Sequence, residues 1–292
     1  MLPSVSDVRD ALTLEPLAPG RWLGKSVPSR AGVVFGGQLI GQAIAVAAAT
    51  VPAKRVASVH TVFARTGRTD APVELDADPL HDGRSFAGLT VTARQGDRLL
   101  ARSLLLLDVS EDDVVRHRPE APATGGPAAV GPGAAHPRPA MLAGWEHRYV
   151  EDVDLTDPDA VGPPELAVWS RFEAGGRAAA DGPALLAWAT VGFLVGTALR
   201  PHPGVGLANA HRELSTGVLT HTLTFHDPIA ADEWLLLTQR STVAGGGRAY
   251  GTGEVFTEDG RPVASYDQLA MVRRMPTVSS AGSSSSAGAS GL

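Results

Sequence analysis

The chain contains no cysteine, which removes disulfides, thiolate nucleophiles, iron–sulfur clusters and Cys-based zinc sites together. A reducing compartment is compatible with this, and a cytoplasmic location is the expectation. Aromatic residues are scarce at 5%, whereas 33 glycines and 22 prolines stand in 292 residues. Many short strands and turns suit that balance better than a helical bundle. Basic charge is also short. Lys and Arg number 25 against 31 Asp and Glu, giving a net charge of −6 without a basic run, so no nucleic-acid partner is expected. Long apolar runs are missing too. The longest, residues 185–199, is interrupted by Thr190, Gly192, Gly196 and Thr197 and is too short to span a bilayer. Residues 1–17 lack the basic and apolar blocks of a signal peptide. What is present, 43% hydrophobic and 19% charged residues, suits one large or two ordinary globular domains.

Residues 118–140 are almost wholly Pro, Ala and Gly, and 277–292 are Ser, Gly and Ala; neither composition buries enough side chain to order itself. The expected division is a first module over 1–112, a linker over 113–164, a second module over 165–276 and a tail over 277–292. The two flanking segments resemble each other. Gly83-Arg84-Ser85-Phe86 and Gly247-Arg248-Ala249-Tyr250 each precede two strand-like stretches, with Gly96 and Gly260 at matching turns, all at an offset of 164. Upstream, Phe63 in SVHTVFAR matches Phe225 in THTLTFHD at an offset of 162. Each half also holds an apolar helix-like stretch, 36–50 and 184–199. The second is apolar on every face, as befits a helix surrounded by protein. Strands are predicted over 73–78, 87–94, 99–109, 233–239 and 264–273 from two-residue alternation or full apolarity, with hairpin turns at Gln95-Gly96-Asp97 and Glu258-Asp259-Gly260. The fold expected is α+β: a buried helix wrapped by an antiparallel sheet, duplicated in tandem, a double hotdog.

Several words then resemble acyl-CoA thioesterase II of the TesB type. They are Phe35-Gly36-Gly37-Gln38 with Gly41-Gln42, His60-Thr61-Val62-Phe63-Ala64-Arg65 and Leu80 to Phe86 in the first half. In the second half they are Ala198-Leu199-Arg200-Pro201-His202, Thr222 to Pro228, Glu233-Trp234-Leu235-Leu236 and Val263-Ala264-Ser265. The resemblance covers about residues 20–110 and 165–275 and implies an acyl-CoA or carrier-bound acyl substrate, no cofactor and a homo-oligomer. It also implies that a carboxylate on the second buried helix, a hydroxyl and a glutamine activate water. Counting back from Arg200-Pro201-His202, the acid position is occupied by Val191. The hydroxyl position falls near Val218, with Ser215, Thr216 or Thr220 reached by a short register shift. The glutamine is Gln268.

The candidate catalytic residues are therefore Gln268, His60 and Asp267; the last two are the bases left once the acid is missing. Asp267 and Gln268 are adjacent and point to opposite faces of a regular strand. Gly36, Gly37, Gln38, Gln42, Val191, Val218 and Thr220 are the candidate substrate-binding residues. The amides around Gly36-Gly37-Gln38, at a helix N-terminus, suit a thioester carbonyl or a phosphate. For Gly37 and Gly41 close helix–sheet packing is the plainer role, and for His60 a structural hydrogen bond. No G-x-S-x-G elbow, H-E-x-x-H or P-loop is present, and Gly204-Val205-Gly206 is not a dinucleotide fingerprint. His211, His221 and His226 are not spaced to converge on a metal, so no metal is expected. Two alternatives to hydrolysis stay open: a repurposed enzyme of dehydration, isomerisation or cyclisation, and a non-catalytic acyl-binding protein.

Overall fold

A computed structural model describes residues 2–29, 31–130, 142–175 and 178–275; residues 131–141 of the expected linker and the expected tail lie outside them. The first half runs α1 (Val5–Leu12), β1 (Glu15–Ala18), β2 (Arg21–Gly24), α2 (Gly36–Thr50), β3 (Arg55–Phe63), β4 (Val73–Asp82), β5 (Phe86–Gln95) and β6 (Arg98–Asp108). The second runs β7 (Trp145–Tyr149), β8 (Glu165–Phe172), α3 (Ala178–Val191), α4 (Leu194–Leu199), β9 (Leu214–Phe225), β10 (Leu235–Gly245), β11 (Arg248–Thr257) and β12 (Pro262–Arg274). Strand β7, with buried Leu142 and Trp145, falls inside the segment expected to be linker.

All strands join one 12-stranded sheet in the order β1-β2-β4-β5-β6-β3-β9-β12-β11-β10-β8-β7. Read from either edge, the same module order appears, and the two copies meet antiparallel at β3 and β9. This is the double hotdog. Gly96 and Gly260 take the positive φ that tight turns require, at +56° and +83°, where hairpins were predicted.

Each half-sheet wraps an apolar helix. Ten residues of α2 are buried, among them Ile40, Ile44 and Val46. The single helix predicted over 184–199 is two helices, because Gly192 is a poor helix former after β-branched Thr190 and Val191. The stretch Asp181–Leu199 is apolar and long enough to cross a membrane by composition, but it is the second module's core helix, 83% buried.

Gly37 and Gly41 do permit a close approach, though to a helix rather than to the sheet. A Cβ on Gly37 would lie 2.7 Å from Trp188 Cα and 3.1 Å from the Ala187 carbonyl oxygen; one on Gly41 would lie 3.2 Å from the Ala184 carbonyl oxygen. The glycines thus set the crossing of α2 on α3. Gly37→Ala gains about 1 kcal/mol of helix propensity and suffers overpacking of about 1–3 kcal/mol against backbone that must shift as a unit. A net loss is expected, read as a lower urea midpoint at unchanged slope; a midpoint at or above wild type would show that the helices separate freely.

Strand pairing corrects the offset of 164. Ala87 sits opposite Leu107 and Asp82, whereas Ala249 sits opposite Ala270 and Ala244. Asp82 therefore corresponds to Ala244, and Phe86 to Arg248. The Gly-Arg words do not superimpose: Asp82 to Ala87 and Ala244 to Ala249 are connections of equal length, and the Gly-Arg pair stands two residues later in the second.

Candidate active site

Alternation along β9 turns His221 and Leu223 inward, and along β12 turns Tyr266, Gln268 and Ala270 inward. Cross-strand pairing sets Gln268 directly opposite His221, while the C-terminal turn of α3 lowers Thr190 onto the same spot. The result is a hydrogen-bonded chain. Thr190 Oγ1 lies 3.0 Å from His221 Nε2, and His221 Nδ1 lies 3.0 Å from Gln268 Oε1. All three residues are 0% exposed. Because Oε1 only accepts, the hydrogen of neutral His221 resides on Nδ1 and Nε2 is the acceptor; the one hydrogen of the Thr190 hydroxyl, for which the Ala187 carbonyl oxygen competes at 3.3 Å, goes to the nearer Nε2.

The imidazole is held neutral. Burial is the main cause of its pKa falling to about 4; the bond to Gln268 opposes that fall and the charge of nearby His60 adds to it. Tyr266 stacks on the ring, with centroids 5.8 Å apart, and donates its hydroxyl to Gln239 Oε1 at 3.3 Å. Burial raises the pKa of that hydroxyl. Thr61, opposite His221 on β3, is hydrogen-bonded to Ser103 at 2.7 Å.

The duplication supplies an internal control. Around the β3–β9 pairing His221 corresponds to Val59, and Gln268 to Leu105, which faces Val59 across the strands. The first module fills this place with two buried aliphatic side chains. A hotdog core thus closes without polar groups here. In the second module Gln268 Nε2 is buried without a hydrogen-bond partner among the described residues, at a cost of about 1–3 kcal/mol. Stability does not call for such a group.

Of the residues singled out in the sequence, Gln268 is at this site. His60 is not: it is exposed on the outer face, its Nδ1 2.9 Å from Thr222 Oγ1. A bulge between Val56 and Ser58 turns Val59 and Thr61 inward and leaves His60 outside. Asp267 also lies on the outer face, with Thr222 and Ser265 around a groove there. Thr220, next to inward His221, faces outward opposite exposed Val62, while Val218 packs on the core beyond a bulge. Gly36 and Val191 are brought together: a Cβ on Gly36 would lie 3.6 Å from Val191 Cγ1 and 3.3 Å from the Phe63 ring. Gln38 accepts from the Val27 amide, and both Gln38 and Gln42 donate to the Lys25 carbonyl. Their amides thus anchor the chain ahead of α2 rather than a substrate.

The residues missed were His221 and Thr190. The signal for His221 was the alternation in THTLTF, which places it with Leu223 and Phe225 on one face. Among the described residues no group of three His, Asp or Glu side chains could hold a metal ion.

Residues 24–107 match the family profile of the acyl-CoA thioesterase N-terminal domain, and residues 114–272 match that of the C-terminal domain. The chain belongs to the acyl-CoA thioesterase family. This thioesterase-family chain is 26% identical over 254 residues to acyl-CoA thioesterase 2 of Haemophilus influenzae, covering 82% of itself and 87% of that protein. It is also 26% identical over 318 residues to acyl-coenzyme A thioesterase 8 of Mus musculus, covering 93% and 90%. Among solved structures, acyl-CoA thioesterase II TesB2 of Mycobacterium marinum is similar with a TM-score of 0.77 and 27% identity, over 92% of this chain and 99% of that one.

Proposed function

We propose that this protein hydrolyses acyl-CoA thioesters at the Thr190–His221–Gln268 chain. The observation that carries the proposal is the replacement of an aliphatic pair, Val59 and Leu105, by a hydrogen-bonded polar pair at the same place in the duplicated core. Water gives a proton to Thr190 Oγ1 as that hydroxyl passes its own hydrogen to His221 Nε2. The water oxygen bonds to the thioester carbon, and the developing oxyanion is met by the amides of Gly36 and Gly37 at the positive end of α2. The C–S bond then breaks, and the imidazolium returns the proton to the CoA sulfur, leaving a carboxylic acid and CoA. Gln268 Oε1 holds the ring tautomer throughout, and its Nε2 is the donor available to water. The three side chains are sealed from solvent, so the thioester reaches them only as the packing around them opens.

A second reading, an acyl-binding protein without turnover, is favoured by Val191, an aliphatic side chain where the family resemblance sets an acid. Purified protein incubated with acyl-CoAs of graded chain length, with thiol release followed by a thiol reagent, separates the two. The absence of cysteine means that every thiol detected comes from CoA. Turnover is expected in the wild type and, within about twofold, in His60→Ala, whose side chain lies on the outer face. Saturable binding without thiol release from any acyl-CoA would sink hydrolysis in favour of the second reading.

A further inference from the structure

The far end of the second module holds a cavity of about 320 Å³ between the end of α4 and the β10–β11 hairpin. Ala198, Leu199, Val205, Leu214, Ala249 and Val272 supply apolar walls, Ala244 stands at the hairpin, and His202 and Arg248 are its basic members. It lies about 20 Å along β9 from His221, judged from seven residues of extended strand, and takes no part in the chemistry above.

The first module shows how this end is normally closed. Lys54, just beyond α2, lays its side chain inward at 8% exposure and reaches Asp82 at 2.6 Å, and Arg55 pairs with Asp108 at 2.8 Å. By strand register the second module has Ala244 for Asp82, Met271 for Asp108, Gly217 for Arg55 and Arg248 for Phe86. Of these places only that of Asp82 lies on the core face, where Ala244 stands opposite buried Ala249; that carboxylate is gone and the space is open. Arg248, rooted on the outer face opposite Met271, carries its guanidinium over the hairpin turn, 3.9 Å from where a Cβ on Gly246 would stand, to the cavity's rim. Arg248 has no salt bridge among the described residues, and the Arg273 stem lies over Gly247 beside it, 3.2 Å from where a Cβ would stand.

We propose that this cavity binds a medium-chain fatty-acid anion, with the alkyl chain among the apolar walls and the carboxylate on Arg248. A volume at the lower end of the range for small-ligand pockets suits a short alkyl chain, and a guanidinium at the rim takes a carboxylate in bidentate fashion. Neutral alcohols and cationic amphiphiles lack the head group that the rim selects. The site is separate from the hydrolytic one, so it is read by direct binding and does not depend on turnover.

The test is isothermal titration of the full chain with sodium octanoate and with octyltrimethylammonium. Octanoate is expected to bind one to one and the cation not at all. Arg248→Glu should weaken octanoate at least tenfold, and Ala244→Trp, which fills the cavity from an exposed hairpin position, should abolish it. Both variants should keep wild-type thermal midpoints and wild-type handling of acyl-CoA. Absence of octanoate binding, equal affinity for the cation, or unchanged octanoate affinity in both variants would overturn the proposal.

Discussion

Replacing His221 with asparagine or glutamine is expected to lower kcat/KM for an acyl-CoA by at least about 100-fold, within the span of a lost general base. The two replacements dissect the ring. The asparagine amide nitrogen reaches the place of Nδ1 and still donates to Gln268 Oε1; the glutamine terminus reaches the place of Nε2 and still meets the Thr190 hydroxyl. Each variant keeps one of the two 3.0 Å bonds, and neither takes up a proton. A factor of 100 is about 2.7 kcal/mol of barrier, more than the roughly 1 kcal/mol of one neutral hydrogen bond, so a merely structural histidine predicts a visibly smaller loss. Circular dichroism and thermal midpoints establish that the variants fold. Retention of more than about a tenth of wild-type turnover in either variant would remove His221 from the proton path.

Why His221 escaped the sequence, while its neighbour Gln268 did not, lies in the kind of information each required. Gln268 is reached through the family resemblance; β12 does not mark its own inward face at its start, where adjacent Val263 and Ala264 are both buried, and burial alternates only from Ala264 through Tyr266, Gln268 and Ala270. In β3 both faces carry apolar residues, Val59 on one and Val62 on the other, and a bulge of one residue decides between them. His60 and Thr61 exchange faces on that bulge alone. The chain Thr190–His221–Gln268 depends further on contacts 31 and 47 residues apart in sequence, which no local period encodes. The duplication was legible in its helices and turns, yet its register was not. Strands β1, β2, β7 and β8, four to eight residues long at the sheet edges, carry too little alternation to stand out from the surrounding loops.

Acidification supplies the other large effect. His221 is neutral in the folded protein down to about pH 4, whereas in the unfolded chain it titrates near 6.5. Between those values the unfolded state binds a proton that the native state refuses, so stability rises with pH through that window and falls as pH drops through it. At 1.36 kcal/mol per unit the loss from this one side chain is about 3 kcal/mol, a large share of an ordinary folding free energy. Urea unfolding of wild type and His221→Gln at pH 7, 6, 5 and 4.5 isolates it. The wild-type advantage should shrink steadily below pH 6.5, and a gap independent of pH would show that the ring is protonated or solvated in the native state. The same depression bears on catalysis. A base already neutral at pH 5 sustains kcat/KM at an acidity where a histidine of ordinary pKa would be almost wholly protonated. A level rate profile from pH 8 to 5, ending together with the loss of folded protein, therefore ties the reaction to a base as deeply buried as His221, while a profile breaking near 6.5 points to an exposed histidine instead.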